Sequence, residues 1–216
     1  MRRFLVLTLT ICIFSAFAVS GFARPNVLMI SIDDLNDWTG YLGGHSQVQT
    51  PHLDRLSKRG RNFANAHCAV PVCSPSRVSV MSGVSAATHG SYELGPAYET
   101  IPALDTVPCL QEYFQKQGYT TLAGGKVLHH GFRGRLAKAI DRDLHKRKGG
   151  PRPEKRMNWP GGSWDWGAFP ESDVDMYDHQ LAENAAAALG GEFEKPFLMS
   201  VGLFRPHVPM FVPQKW

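Results

Sequence analysis

The chain has 216 residues, 43% of them hydrophobic and 19% charged, with a formal net charge of +4. That is about one domain's length, enough to bury a real core. A charge so close to neutral says little about partners, and no nucleic-acid partner is expected.

The chain opens with the basic residues of Met1-Arg2-Arg3, and Phe4 to Val19 is almost wholly apolar. Ser20-Gly21-Phe22-Ala23 supplies the small residues of a cleavage site. This pattern predicts a secretory signal peptide over residues 1–23 and an exported protein, periplasmic or secreted. The apolar run is short for a membrane span, so no stable span is expected after cleavage. Cleavage would leave 21 basic against 19 acidic side chains, a net charge of +2.

Asn26 to Ile32 is a continuous apolar run ending in Asp33-Asp34. A run apolar throughout predicts a parallel strand with helices on both faces. Side chains at the carboxyl end of such a strand are placed for function. Two adjacent carboxylates there repel unless a cation lies between them, and oxygen ligands suit a hard divalent ion. The alternative is that one acid caps the next segment and the other is solvated. Thr50-Pro51 predicts a helix start, with Thr50 as N-cap, Leu53 and Leu56 on one apolar face, and Gly60 at the end. Asn62 to Cys68 reads as an extended segment.

Cys73-Ser74-Pro75-Ser76-Arg77 has the form C-x-P-x-R at the mouth of a short helix. Pro75 suits a first helical turn. The unpartnered N–H groups of that turn favour an anion. Arg77 lies one helical turn after Cys73 and can face the same side. A nucleophile, a cation and a helix N-terminus thus converge; the bland reading is a buried cysteine beside a surface arginine. A tyrosine-phosphatase loop does not fit, because the arginine follows Cys73 too early and residue 74, six after Cys68, is serine. A zinc site lacks the second pair of ligands.

Farther on, Cys109 to Gln117 reads as a helix and Tyr119 to Ala123 as a strand, a further β-α-β step. Lys126 and His129 follow at that strand's carboxyl end. Residues 132–170 read as a surface insertion, with six Lys/Arg and one Glu between His145 and Arg156. Trp159, Trp164 and Trp166 either anchor this loop on the body or stack on sugar rings; anchoring is the expectation. Asp173 to Leu189 predicts a helix, and Lys195 to Gly202 a strand that runs into Phe204-Arg205-Pro206-His207. There is no internal repeat.

The order of strand, Asp-Asp, T-P-x-L-D-x-L helix and C-x-P-x-R resembles the amino-terminal region of sulfatases from Pro25 to Gly90. Gly125-Lys126-Val127-Leu128-His129-His130-Gly131 and Phe204-Arg205-Pro206-His207-Val208-Pro209 resemble the iduronate-2-sulfatase-like branch. The resemblance implies an alkaline-phosphatase-like α/β fold, a doubly wound and mostly parallel sheet. It implies a sulfuric ester hydrolase acting on sulfated carbohydrate. In that reading Cys73 is oxidised to formylglycine by a maturation enzyme, and Asp33, Asp34 and residue 73 bind Ca²⁺. Arg77, Lys126, His129 and His207 complete the catalytic set. The hydrated aldehyde attacks sulfur, His129 takes a proton from its second hydroxyl, and either His207 or a further family lysine without a counterpart in this sequence protonates the leaving group. With Cys73 converted, Cys68 and Cys109 remain either as a disulfide pair or as two free thiols.

Residues 24–216 would then be the amino-terminal part of a sulfatase catalytic domain, with its carboxy-terminal part absent. Two other readings share these residues. One is a phosphate or phosphonate ester hydrolase of the same superfamily. The other is an inactive, glycan-binding fragment.

Overall fold

The computed structural model describes residues 24–145, 149–160 and 164–216. The signal-peptide expectation lies outside these residues. Among them, no helix is long and apolar enough to cross a membrane.

Four parallel strands form the central sheet: β1 (Val27–Ile32), β2 (Thr120–Gly125), β3 (Arg142–His145) and β5 (Phe197–Leu203), in the order β1-β5-β2-β3. The most apolar strand, β5, lies inside the sheet and is buried along nearly its whole length. Its register against both neighbours is unbroken: Ser31 and Gly125 both stand opposite Gly202.

Helices cover both faces, as a doubly wound sheet requires. On one face, Val78 and Met81 of α2 (Cys73–Ser82) pack with Leu104, Cys109, Val127 and Leu128. That side also carries α3 (Ala86–His89), α4 (Leu110–Lys116) and α5 (Gly134–Ala137), while α1 (Pro51–Ser57) contributes to neither core cluster. On the other face lies α6 (Tyr177–Leu189), with Leu181, Ala185 and Ala188 turned onto Leu122, Leu144, Met199 and Val201. Those α6 residues recur at helical spacing, which gives one apolar stripe. A two-stranded parallel sheet, β4 (Trp166–Ala168) with β6 (Met210–Val212), stands apart.

Several expectations are corrected. Among the described residues β1 is an edge strand and is not covered on both faces, with Leu28 43% and Ile30 52% exposed. Met29 packs on the first core, but the apolar stripe of α6 packs on β5, β2 and β3, and among the described residues the alternate residues of β1 stay bare. Thr50 does not cap α1 through its side chain; its hydroxyl donates to Asp54 Oδ1 (3.0 Å) and accepts from Gly40 N–H (2.7 Å). α1 has no buried residue and ends at Ser57, before Gly60. Residues 62–68 are not extended throughout, because the chain turns at residues 64–65. The insertion is not purely a surface loop, because it contributes β3 to the main sheet. The three tryptophans do not anchor it, being 49%, 64% and 49% exposed. The buried Asp165 does so instead, accepting N–H bonds from Met157, Asn158, Trp159 and Trp166. Cys68 and Cys109 are not bonded: Cys68 is exposed, while Cys109 lies in the core with its thiol pushed up to about 11 by burial.

Candidate active site

The site forms where β1, β2 and β5 end and α2 begins. Parallel strands expose their carboxyl ends together, so residues just past them meet even when far apart in sequence. Asp33 and Asp34 follow β1, Lys126 follows β2, and His207 follows β5 in a short loop.

Extended backbone at Val72 turns into α2, which places Cys73 at the first helical position and buries Ser74 and Pro75. Cys73 Sγ is 3.1 Å from His129 Nδ1. The neighbouring His130 points elsewhere: its Nε2 bonds the carbonyls of Leu94 (3.0 Å) and Gly95 (2.8 Å).

One turn into α2, Arg77 is buried and donates through Nη2 to Asp33 Oδ1 at 2.8 Å. Its Nη1 reaches Ser31 Oγ (3.4 Å) and the Val127 carbonyl (3.2 Å), and also contacts the Lys126 carbonyl. Lys126 is 2% exposed, and its ammonium pairs with the other oxygen of Asp33. Burial pushes the Asp33 carboxyl up, but the hydrogen bonds and charges of Arg77 and Lys126 outweigh it and hold the group below its ordinary value. Two buried cations against one buried carboxylate leave the floor of the site net positive.

His207 Nδ1 donates to the Val208 carbonyl (2.6 Å), an assignment fixed by the partner's being an acceptor. Its Nε2 faces Asp33 Oδ2 at 3.8 Å and Asp34 Oδ2 at 3.9 Å. Asp34, at φ 59°, keeps its side chain 60% exposed. Asp33, Asp34, Cys73 and Arg77 line one cavity of about 570 Å³. All seven expected site residues therefore belong to one neighbourhood.

Calcium takes six to eight oxygens. Asp33 and Asp34 are hard oxygen donors on one cavity wall and fit that chemistry in type. They do not fill the shell: among the described residues no three His, Cys, Asp or Glu side chains converge on a common point. Asp33 is also engaged by both cations, so the two carboxylates alone would supply only part of a calcium ligand shell.

Three supporting residues were not read from the sequence. Phe204 lies beneath the Lys126 ammonium (4.7 Å to the ring centre) and against the His207 ring (4.6 Å). Gly202 lets β5 approach the segment after β2, because a Cβ there would meet the Lys126 carbonyl carbon at 2.2 Å. Asp178, in the first turn of α6, bonds the backbone of Phe204 and Arg205. Burial pushes the Asp178 carboxyl up; the two backbone N–H groups oppose this, and the charge of Asp33 adds to the rise. Only the glycine inside the apolar β5 run carried a sequence signal, the mark of close backbone approach.

The Sulfatase family model matches residues 25–216. The chain belongs to the sulfatase family. A sulfatase of Formosa agariphila is 38% identical over 211 residues, covering 89% of this chain and 41% of that protein. Human iduronate 2-sulfatase is 30% identical over 204 residues, covering 88% of this chain and 36% of that protein. Compared with such sulfatases, the chain spans about two fifths of their length. Among solved structures, a 2-O GAG sulfatase superposes with a TM-score of 0.60 at 25% identity, covering 85% of this chain and 35% of that one. A phosphonate monoester hydrolase of Agrobacterium radiobacter gives 0.63 at 22% identity, covering 88% and 43%. The latter likeness is one of fold. The sulfatase superposition agrees with an alkaline-phosphatase-like α/β architecture of which this chain forms a part.

Proposed function

We propose that the full-length protein is an exported sulfuric ester hydrolase acting on sulfate monoesters of carbohydrate. The observation that supports this most is the contact of Cys73 with His129 at the mouth of α2, next to Asp33 held between Arg77 and Lys126. A nucleophile, its base and a positive floor are the parts that transfer of a sulfuryl group needs.

Cys73 is proposed to act as formylglycine, which requires a maturation enzyme as partner. The hydrated aldehyde supplies one hydroxyl to attack sulfur and a second whose deprotonation releases sulfate. His129, beside residue 73, takes that proton. Arg77 and Lys126 hold charge at the base of the site, where burial strengthens their action on a developing anion. His207 Nε2 is oriented toward the site and hands a proton to the departing alcohol. Asp33 and Asp34 are proposed as part of a Ca²⁺ site, whose ion would draw electron density from sulfate oxygens.

The test compares an aryl sulfate with the matching aryl phosphate, using full-length wild type and Cys73→Ala. The expected result is faster release of sulfate than phosphate, and loss of both in Cys73→Ala with the fold retained. Preference for phosphate or phosphonate esters, or turnover near wild type in Cys73→Ala, would overturn the reading.

A further inference from the structure

We infer that Asp178 is a positioning residue for the sulfate-ester site: its half-buried carboxylate clamps the start of the loop after β5 and thereby aims the His207 imidazole at Asp33 and Asp34. The inference rests on the proposed role of His207.

The loop begins where β5 stops. Past Leu203, the backbone N–H groups of Phe204 and Arg205 leave the sheet, and a buried N–H without an acceptor is costly. Asp178 accepts both. Phe204 N–H lies 2.9 Å from Oδ1 and 3.0 Å from Oδ2, and Arg205 N–H lies 2.7 Å from Oδ2. An acid in the first turn of a helix ordinarily serves its own helix's N–H groups or remains in water. Asp178 serves another segment instead, although withdrawing a charge partly from water carries a penalty that good partners must offset.

The clamp has two continuations toward His207. The Phe204 ring lies against the His207 ring, tilted by 53° with centres 4.6 Å apart, and the Phe204 carbonyl accepts His207 N–H at 3.0 Å. The Arg205 guanidinium donates from Nη1 to the His207 carbonyl (2.9 Å) and from Nε to the Phe211 carbonyl (3.1 Å). Backbone, ring and guanidinium of the two clamped residues thus fix the histidine from three sides. Phe204 also underlies Lys126, so one carboxylate organises the loop against both β2 and β5 ends.

Asp178 does not touch the cavity, so its effect must pass through His207, and this sets the experiment. Full-length wild type, Asp178→Asn, His207→Ala and the double variant are compared on a nitrophenyl sulfate, whose leaving group needs no proton, and on a sugar sulfate, whose leaving group does. Loss of an aligned acid is expected to lower kcat/KM for the sugar sulfate by about tenfold more than for the nitrophenyl sulfate. Asp178→Asn and His207→Ala are expected to share this ratio, and the double variant to cost little beyond His207→Ala. Equal losses on both substrates, or additive effects, would overturn the inference. If Asp178→Asn fails to fold, Asp178→Glu keeps the charge, displaces the carboxylate by one methylene and reads the same ratio. If wild type turns over neither sulfate, the function proposal fails by itself. The positioning claim is then decided by the ring NMR signal of His207. That signal should respond to Asp33→Asn in the wild-type background and lose the response with Asp178→Asn; an unchanged response would overturn it.

Discussion

Asp33 joins the two cations of the site, with Arg77 on one oxygen and Lys126 on the other, all three buried. Removing Lys126 leaves Asp33 paired with Arg77 alone and takes away a charge-assisted hydrogen bond, a loss of about 1.5–3 kcal/mol. Lys126→Met is therefore expected to lower stability by that order at pH 7. The sign of its pH dependence follows from the Asp33 carboxyl, which is held below its ordinary value. Its contribution is present above the unfolded carboxylate range and fades as pH falls through the folded value. Urea melts of wild type and variant should therefore converge toward acid pH. A gap that stays constant from neutral to acid would show that the Asp33 pairing is not its source. The Asp33-Asp34 pair and C-x-P-x-R were legible because neighbours in sequence stay neighbours at a strand end and along a helix. Asp178 and Phe204 were not, because their roles depend on a contact between α6 and the end of β5 that spacing does not encode.

Among the elements, the junction of β5 with the segment after β2 is the tightest part of the site. Lys126 N–H donates to the Gly202 carbonyl at 2.7 Å, and Gly202 faces the Lys126 backbone without room for a Cβ. Gly202→Ala is expected to force the two apart, to cost about 2–3 kcal/mol as an overpacking change, and to displace Lys126. Gly190→Ala, where the nearest atoms lie 3.7 Å away, is the control and should melt near wild type. Thermal melts of the two variants check this, and equal melting temperatures would contradict the packing argument. Sequence patterning found β1, β2, β5 and α6 because each carries a run or stripe of apolar residues. It missed β3, in which only Leu144 is buried, since an edge strand with a single core residue leaves no period to read. It overestimated α1, where Leu56 is 60% exposed.

For the whole molecule, the open side of the sheet matters most. Among the described residues β1 pairs only with β5, and Leu28 and Ile30 stand bare on the face that α6 does not reach. The continuous run Val27–Ile32 identified a strand but not its cover, because burial depends on what the rest of the fold lays against it. An exposed apolar edge strand is a template for self-association. Residues 24–216 produced alone are expected to self-associate through β1, and Ile30→Lys to shift them toward monomer in light scattering. Association unaffected by Ile30→Lys would place the contact elsewhere.

In the proposed reaction, residue 73 receives the sulfuryl group. Cys73→Ser tests it, because a serine ester lacks the second hydroxyl whose deprotonation would release sulfate. Full-length Cys73→Ser exposed to an aryl sulfate should carry a stable sulfate adduct on the peptide containing residue 73, seen by mass spectrometry. An unmodified residue 73 in that variant, alongside a wild-type protein that hydrolyses the same ester, would contradict it.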